Sequence, residues 1–424
     1  MILKGARFVI TQDEKRRVLE GADVRIGGDR IREVGRDLKP ERGEEVVDLE
    51  GRVVLPALIN AHNHAPMVLF RGYEDDRPLK EWLQRMWAKE GRLTGRVARA
   101  GAKLALLESL SHGIATTLDM YEAEEVAKAA LEVGVRVATA PPLISVFAPA
   151  EERLKATERF HRNYRGNPYV LPVVNLHSVY TNDEDAIRRA AELSKELNVP
   201  LHVHASETRE EIYECRKKTG KLPVEYLDSL GAVWERSVLV HLGWVARWEI
   251  NIMAERGAKA VHCPSSNMKL GTGGFFPYPV FRERGITVGL GTDSAASNNT
   301  QDLFREMRMM ALIQKHQYWN SSIVTAQDAL DVATRGGAEV VGIKAGRIEK
   351  GYLADIAVLE ITPEMLPLRR ENLISNVVYS TTGNLVERVF VGGREVFRRG
   401  SEEFNEKYRE AMREAEGFLD YLEE

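Results

Sequence analysis

Eight short apolar segments follow one another through the middle of the chain, with amphipathic stretches between them. The apolar segments cover 53–59, 114–119, 135–140, 170–176, 200–204, 238–242, 258–262 and 287–292. Stretches between them, such as 96–111, 124–133 and 183–198, place apolar residues three and four positions apart, as helices do. Short apolar runs are typical of parallel strands that are covered on both faces. This order predicts an α/β fold in which eight strands and their helices close into a (β/α)8 TIM barrel.

An open, doubly wound sheet is the alternative for such a series. Its nucleotide-binding forms carry a G-x-G-x-x-G or Walker A glycine pattern directly after the first strand. The sequence shows neither pattern after 53–59. The barrel is therefore the favoured architecture.

The two ends of the chain resemble each other and differ from the middle. Alternating residues at 22–26 and 30–34 flank Gly27-Gly28-Asp29. Near the other end, 389–391 leads through Gly392-Gly393-Arg394-Glu395 into 396–397. Neither end alone offers enough strands for a stable sheet. We therefore expect the ends to combine in a small β-sandwich domain, although two independent hairpins are the alternative. The predicted domains are 1–54 and 345–424 for this β-domain, with a helix at 402–424, and 55–344 for the barrel.

Composition excludes several classes of function. The 59 Lys and Arg nearly balance the 63 Asp and Glu, for a net charge of −4, so a nucleic-acid partner is not expected. No run of about 18 apolar residues indicates a membrane span, and no secretory signal opens the chain. The two cysteines, Cys215 and Cys263, form no C-x-x-C pair, so a cysteine zinc site is not expected. A cytoplasmic location is predicted.

Candidate metal ligands stand at the ends of four predicted strands. In a TIM barrel, the active site lies at the carboxyl ends of the strands. The residues at these ends are His62 and His64 on the first strand, His204 and then Glu207 on the fifth, His241 on the sixth and Asp293 on the eighth. Any one strand histidine is usually a core residue, but the joint pattern predicts a metal site. His202 lies deeper on the face of His204, and we expect a core or supporting role for it.

These residues and their neighbours resemble the amidohydrolase superfamily. The resemblance lies in H-x-H on the first strand, histidines on the fifth and sixth, and the aspartate on the eighth, and it extends over 55–64 and 289–299. Further stretches at 69–72, 81–83, 204–208 and 264–271 are most similar to the 5′-methylthioadenosine/S-adenosylhomocysteine deaminases. Chlorohydrolases and guanine deaminases of the same superfamily are the next most similar groups.

The resemblance implies a metal held by His62, His64, His204 and Asp293. Members with two metal ions commonly carry a carboxylated lysine at the end of the fourth strand, and 173–177 contains no lysine. One ion per chain is therefore expected. Three imidazoles and a carboxylate suit Zn2+ best, and iron, nickel or manganese accept the same ligands.

The implied reaction is the zinc-dependent hydrolytic deamination of an adenine nucleoside such as 5′-methylthioadenosine, S-adenosylhomocysteine or adenosine. The catalytic residues would be Asp293, which accepts a proton from the attacking water, and His241, which orients that water. Glu207 would pass the proton to the ring nitrogen beside the attacked carbon, so that ammonia leaves. A related hydrolase of guanine, cytosine or chlorotriazine rings is one alternative. A non-catalytic scaffold on the same fold is the other.

The resemblance also implies the substrate contacts. Glu90 would bind the ribose hydroxyls, His177 another part of the nucleoside, and Glu207 the ring. An arginine expected after the third strand is replaced by Pro141 and its neighbours, although Arg153 remains nearby, so a carboxylate-bearing tail is disfavoured. Asn267 and Lys269 belong to the loop after the seventh strand, and for Lys269 a structural role is expected. Exposed sheet edges and the final helix favour a homo-oligomer.

Overall fold

Strands from both ends of the chain share one sheet. The computed structural model describes residues 1–423, with the backbone alone at 79, 80 and 423. Numbered along the chain, the strands of this sheet are β1 (Ile2–Ile10), β2 (Val18–Gly27), β3 (Arg30–Gly35), β4 (Val46–Asp48), β5 (Val53–Pro56), β16 (Ile356–Leu359), β17 (Val386–Val391) and β18 (Arg394–Arg398). Their order is β18-β17-β16-β5-β1-β2-β3, and β4 pairs with β1.

This end sheet curls around a core of its own. β5 joins the two ends, because it runs parallel to β1, with Phe8 opposite Val53, and antiparallel to β16, with Val54 opposite Val358. The turns of two hairpins meet where the sheet curls: a Cβ on Gly393 would lie 2.5 Å from the carbonyl oxygen of Gly28. The pairing of strands from both ends agrees with the predicted association of the two ends. These strands are hydrogen bonded in one curled sheet.

Ten strand segments form the wall of the barrel. They are β6 (Leu58–Asn63), β7 (Ile114–Asp119), β8 (Arg136–Thr139), β9 (Pro142–Leu143), β10 (Val170–Pro172), β11 (Val174–Leu176), β12 (Leu201–Ala205), β13 (Ser237–His241), β14 (Lys259–His262) and β15 (Val288–Leu290). β10 and β11 are two halves of the fourth barrel strand, and they pair with β8 and β12 respectively. All neighbours are parallel, as the sequence predicted.

The eighth barrel strand lies against the first without a continuous ladder in the described part of the chain. Just beyond β15, the N–H of Asp293 donates to the carbonyl of His62 at 3.0 Å. Gly291 permits this approach, because a Cβ there would lie 2.9 Å from the Cβ of His62. The two strand ends that carry metal-type side chains are therefore held together by the backbone.

The helices cover the barrel and extend its rim. They are α1 (Leu79–Glu90), α2 (Gly95–Ser111), α3 (Ala123–Val133), α4 (Ala150–Tyr164), α5 (Glu184–Leu197), α6 (Arg209–Thr219), α7 (Pro223–Ser229), α8 (Arg247–Arg256), α9 (Pro264–Lys269), α10 (Tyr278–Glu283), α11 (Ala295–Asn298), α12 (Leu303–Tyr318), α13 (Ala326–Asp331), α14 (Gly337–Val341), α15 (Leu373–Tyr379) and α16 (Glu402–Glu423). A π-helix, Val332–Gly336, joins α13 to α14, and short 3-10 helices cover Ala65–Phe70, Pro363–Met365 and Gly383–Leu385. None of the described helices is long and apolar enough to cross a bilayer.

The apolar run 53–59 divides between the two parts of the fold. Its first half is β5 of the end sheet, and its second half begins β6 of the barrel. Between them, the N–H of Ala57 donates to the carbonyl of Asp355 at 3.0 Å, and that of Leu58 donates to Gly113 at 2.8 Å. The boundary placed at 54/55 thus falls inside β5, and the domain boundaries stay a prediction.

A buried ion pair joins the barrel to the end sheet. Arg136, the first residue of β8, contacts Asp355, and both side chains are only 3% exposed. Arg136 also donates to the carbonyl of Pro168 at 2.9 Å, and Asp355 accepts the N–H of Gly392 at 2.8 Å. Both charges are therefore enclosed where the two parts of the chain meet.

Replacing Asp355 by alanine should decrease the free energy of unfolding by about 3–5 kcal/mol, because it leaves the Arg136 charge buried without its partner. The measurement is chemical denaturation of the purified variant. Asp228→Ala is the control, since Asp228 pairs with the half-exposed Arg256 at the surface. It should cost at most about 1 kcal/mol. Equal losses in the two variants would contradict the prediction.

Candidate active site

Four side chains converge at the carboxyl ends of the barrel strands. His62 and His64 come from the end of β6, His204 from β12, and Asp293 from the loop after β15. The Nε2 atoms of His62 and His204 are 3.2 Å apart. Oδ1 of Asp293 lies 3.3 Å from Nε2 of His62 and 3.3 Å from Nε2 of His64. The structure thus brings the four predicted ligands into one cluster.

The outer nitrogen of each imidazole is already engaged. Nδ1 of His64 lies 2.7 Å from the carbonyl oxygen of Met120, and Nδ1 of His204 lies 2.8 Å from that of His177. A backbone carbonyl can only accept, so each of these rings carries its proton on Nδ1. The unprotonated Nε2 atoms are therefore left facing the centre of the cluster, as in histidine metal ligands.

His62 is held by a second histidine. Its Nδ1 lies 2.9 Å from Nε2 of His202, whose own Nδ1 lies 2.9 Å from Oδ1 of Asn175. The amide oxygen of Asn175 accepts from His202, so the chain of contacts sets the ring orientation of His62. The supporting position that we expected for His202 agrees with this geometry.

Asp293 is held by its backbone and by two hydroxyls. Its backbone φ of 59° lies in the left-handed region, which residues other than glycine seldom adopt. Such strained residues cluster at functional sites. The hydroxyls of Ser266 and Ser297 donate to Oδ2 at 2.6 and 3.1 Å. Oδ1 is therefore the oxygen presented to the histidines.

The spacing and chemistry of the cluster fit a divalent metal ion. A tetrahedral zinc ion with bonds of about 2.0–2.2 Å separates its ligand atoms by roughly 3.3–3.6 Å. The three measured separations are 3.2 to 3.3 Å. Burial lowers the pKa of His62 to about 3, so this ring is neutral and its lone pair is free for a metal. The donor set therefore meets the requirements of the ion.

Glu207 and His241 lie beside this cluster. Oε2 of Glu207 is 3.9 Å from Nε2 of His241, and Nδ1 of His241 is 2.9 Å from the amide oxygen of Asn267. The ring of His241 stacks on that of His204 at 5.3 Å. Burial raises the pKa of Glu207 above its usual range, which helps this carboxyl to carry a proton. The pair can therefore orient water and transfer protons at one place.

A cavity of about 330 Å³ opens onto the cluster. Of the predicted substrate contacts, Glu90, Arg153, His177 and Glu207 all line it. Apolar and aromatic side chains supply most of the remaining lining: Met67, Trp82, Leu83, Trp87, Leu93, Met120, Tyr121, Pro142, Ile144, Phe147, Tyr180 and Leu270. This mixture of a large apolar wall and few polar groups suits a flat aromatic ligand.

The polar groups of the cavity differ in their protonation. Burial raises the pKa of Glu90 to about 7, although neighbouring His64 and a hydrogen bond from Tyr121 act in the opposite direction. Burial lowers the pKa of His177 to about 3, so that ring is neutral. The Nε of Arg153 is buried and has no hydrogen-bond partner in the described part of the chain.

Lys269 is not among the described residues that line the cavity, and its contacts are with neighbouring segments. Its Nζ donates to Oδ1 of Asp75 at 2.6 Å and to the carbonyl of Ala296 at 3.3 Å, and it also contacts Asn299. Pro141, at the position where an arginine was expected, is not among the described residues that line the cavity. Its neighbours Pro142 and Ile144 present apolar surface there.

Sequence reasoning missed several residues of the site. Tyr121 follows the end of β7, so the same strand-end rule could have found it. Trp87 and Phe147 form an edge-to-face pair at 5.6 Å across the mouth of the cavity. They come from α1 and from the loop before α4, and no local signal marks them as neighbours.

A parallel-stranded barrel that gathers imidazoles and one carboxylate at the carboxyl ends of its strands defines a metal-dependent hydrolase. The sequence matches the model of the amidohydrolase family over residues 53–396, and the chain belongs to that family. The resemblance seen in the motifs is thereby confirmed.

Named relatives and a solved structure cover nearly the whole chain. It is 37% identical over 407 residues to the 5-methylthioadenosine/S-adenosylhomocysteine deaminase of Pyrococcus furiosus, covering 94% of each. It is 37% identical over 411 residues to the 5′-deoxyadenosine deaminase of Methanothermobacter thermautotrophicus, covering 94% of this chain and 96% of that one. An adenosine deaminase of Xanthomonas campestris with bound zinc superposes with a TM-score of 0.93 at 28% identity, covering 100% and 98%.

Proposed function

We propose that this chain is a zinc-dependent hydrolytic deaminase of adenine nucleosides, with one ion per chain. The observation that carries the proposal is the position of Glu207 and His241, 3.9 Å apart, at the cluster that His62, His64, His204 and Asp293 form. One ring nitrogen of His241 lies within 4.8 Å of a nitrogen of His62 and of His204. The names of relatives at 37% identity, all nucleoside deaminases, support an adenine nucleoside as the substrate.

The side chains of the site supply the proton transfers of this reaction. A bound zinc ion, held by His62, His64, His204 and Asp293, would contribute water of lowered pKa. Asp293 accepts a proton from the attacking water, and His241 directs the attack. Glu207 delivers a proton to the ring nitrogen beside the attacked carbon. Water adds to that carbon, and the amino group takes the proton that Asp293 accepted. The C–N bond then breaks, ammonia leaves, and the hydroxyl proton of the intermediate returns to Glu207, which gives an inosine-type product.

The cavity favours a nucleoside with a small apolar 5′ substituent. Glu90 accepts hydrogen bonds from the ribose hydroxyls. His177, which lies next to His204, contacts another part of the nucleoside. The surface that Pro142, Ile144 and Phe147 offer carries no charge, while Arg153 is the one cation of the cavity lining among the described residues. We therefore rank 5′-methylthioadenosine and 5′-deoxyadenosine ahead of S-adenosylhomocysteine as substrates, because S-adenosylhomocysteine carries a charged 5′ tail.

The test is a substrate panel with the zinc-loaded protein. 5′-Methylthioadenosine, 5′-deoxyadenosine, adenosine and S-adenosylhomocysteine are incubated separately with the protein. Ammonia and the deaminated product are measured, the latter by chromatography. Guanine, cytosine and a chlorotriazine are the other arms, with chloride release followed for the last. Turnover of a purine nucleoside is expected. Turnover of the other rings alone would contradict the proposal, and no turnover together with no bound metal would favour a scaffold.

Glu90→Gln should raise KM for the nucleoside about 10- to 100-fold, because hydrogen bonds to a charged group contribute about 1.5–3 kcal/mol. The ionised form accepts both hydroxyls, and the pKa of Glu90 is about 7. Lowering the pH below 7 protonates this carboxylate, so KM should rise by up to about tenfold per pH unit. Steady-state kinetics between pH 5.5 and 8 check this. A parent profile as flat as that of Glu90→Gln would refute the role.

A further inference from the structure

A second buried glutamate holds the turn that carries Glu207. Glu211 lies in the first turn of α6 and is 4% exposed. Its Oε1 accepts the N–H of Ser206 at 2.9 Å, and its Oε2 accepts the N–H of Glu207 at 2.7 Å. The side chain of Thr208 in turn accepts the N–H of Glu211 at 3.1 Å, which caps the helix. One carboxylate thus uses both oxygens on two successive peptide groups.

This contact matters because the Glu207 carboxylate has no hydrogen-bond partner in the described part of the chain. Among the cationic or imidazole groups, Nε2 of His241 lies 3.9 Å from its Oε2, beyond hydrogen-bond distance. The turn itself is strained, since Ser206 has a φ of 52°. The direction in which Glu207 points therefore depends on its backbone.

We propose that Glu211 is a positioning residue for the deamination, which holds the 206–207 peptide groups so that Glu207 faces the reacting ring. The inference rests on the proposed function, because it assumes the proton transfer by Glu207. A glutamine at 211 offers one acceptor oxygen, and its NH2 group would face the other N–H. A carboxylate is therefore needed to hold both peptide groups.

The test compares Glu211→Gln with a matched buried glutamate. Glu249 is fully buried, and its Oε1 accepts the N–H of Val224 at 2.9 Å while its Oε2 accepts that of Ala246 at 2.8 Å. Glu211→Gln should lower kcat about 10- to 100-fold, because small misplacements of a reacting group cost rates of this order. KM should stay within about threefold, and the metal content should not change. Glu249→Gln should lower the melting temperature similarly but keep kcat within about twofold.

Each outcome decides the inference. Unchanged kcat in Glu211→Gln, or an equal loss of kcat in Glu249→Gln, overturns it. Should Glu211→Gln not fold, Glu211→Asp replaces it: a lower kcat at unchanged KM supports the inference, and a parental kcat overturns it. Glu207→Gln, measured in parallel, separates the two proposals. Full activity of that variant removes the proposed role of Glu207, whereas an inactive Glu207→Gln beside a fully active Glu211→Gln removes only the role of Glu211.

Discussion

Replacing Glu207 by glutamine is expected to lower kcat by about 10³-fold or more while the protein keeps its metal. Proton transfer by a positioned side chain contributes about 10²–10⁴-fold to enzymatic rates. Glutamine has nearly the same shape but carries no transferable acidic proton. Glu207 is also absent from the groups of side chains that lie close enough to share an ion. The measurements are steady-state kinetics on methylthioadenosine and metal analysis by mass spectrometry.

Glu210→Gln provides the matched control for this prediction. Glu210 is exposed in the first turn of α6, away from the cavity lining. The same acid-to-amide change three residues along should leave kcat unchanged. Substantial turnover by Glu207→Gln would show that another group delivers the proton. Loss of the metal from that variant would show instead that Glu207 belongs to the ligand set.

Replacing Asp293 by alanine should remove both the metal and the activity. Asp293 is the one anion among the four proposed ligands, and its Oδ1 lies 3.3 Å from two of the three histidines. Even indirect partners of metal ligands contribute about 10- to 100-fold to affinity. A loss of more than about 100-fold is therefore expected for a direct ligand. Competition with a chelator measures the affinity, and ammonia release measures the remaining turnover.

A half-buried aspartate near the same rim serves as the comparison. Asp75 pairs with Lys269 and is not among the ligands. Asp75→Ala should keep both the metal affinity and kcat. If Asp293→Ala still bound zinc as tightly as the parent, the ligand set would have to be revised, with His241 as the nearest replacement because it lies within 4.8 Å of His62 and His204.

Most of the barrel, and the strand ends that carry the proposed ligands, could be predicted from local pattern. Apolar runs identify the strands, and the strand-end rule then selects the residues that face the site. The segment 114–119 is β7 without any change of bounds, and 183–198 differs from α5 by one residue at each end. His62, His204 and Asp293 meet because every parallel strand ends at the same rim.

What the sequence could not show depends on contacts between distant segments. The run 53–59 is apolar throughout, so nothing in it marks where the chain leaves the end sheet for the barrel. Trp87 and Phe147 face each other only because the fold brings α1 and the loop before α4 together at the cavity. In the sequence, Glu211 is the last residue of a T-x-x-E helix-capping motif. Its hydrogen bonds to the N–H groups of Ser206 and Glu207 are visible only in the folded structure.

The pairing of β5 with both β1 and β16 has a consequence for the order of folding. About three hundred residues separate β5 from β16 along the chain. As the polypeptide is made, β1 to β5 present an unpaired strand edge until the barrel has been synthesised and Ile356 emerges. Such an edge can pair with other chains, and slow closure of distant contacts exposes it for longer. Rapid folding of the barrel would bring β5 and β16 together. It would thereby shorten the time during which the unpaired strand edge can associate with other chains.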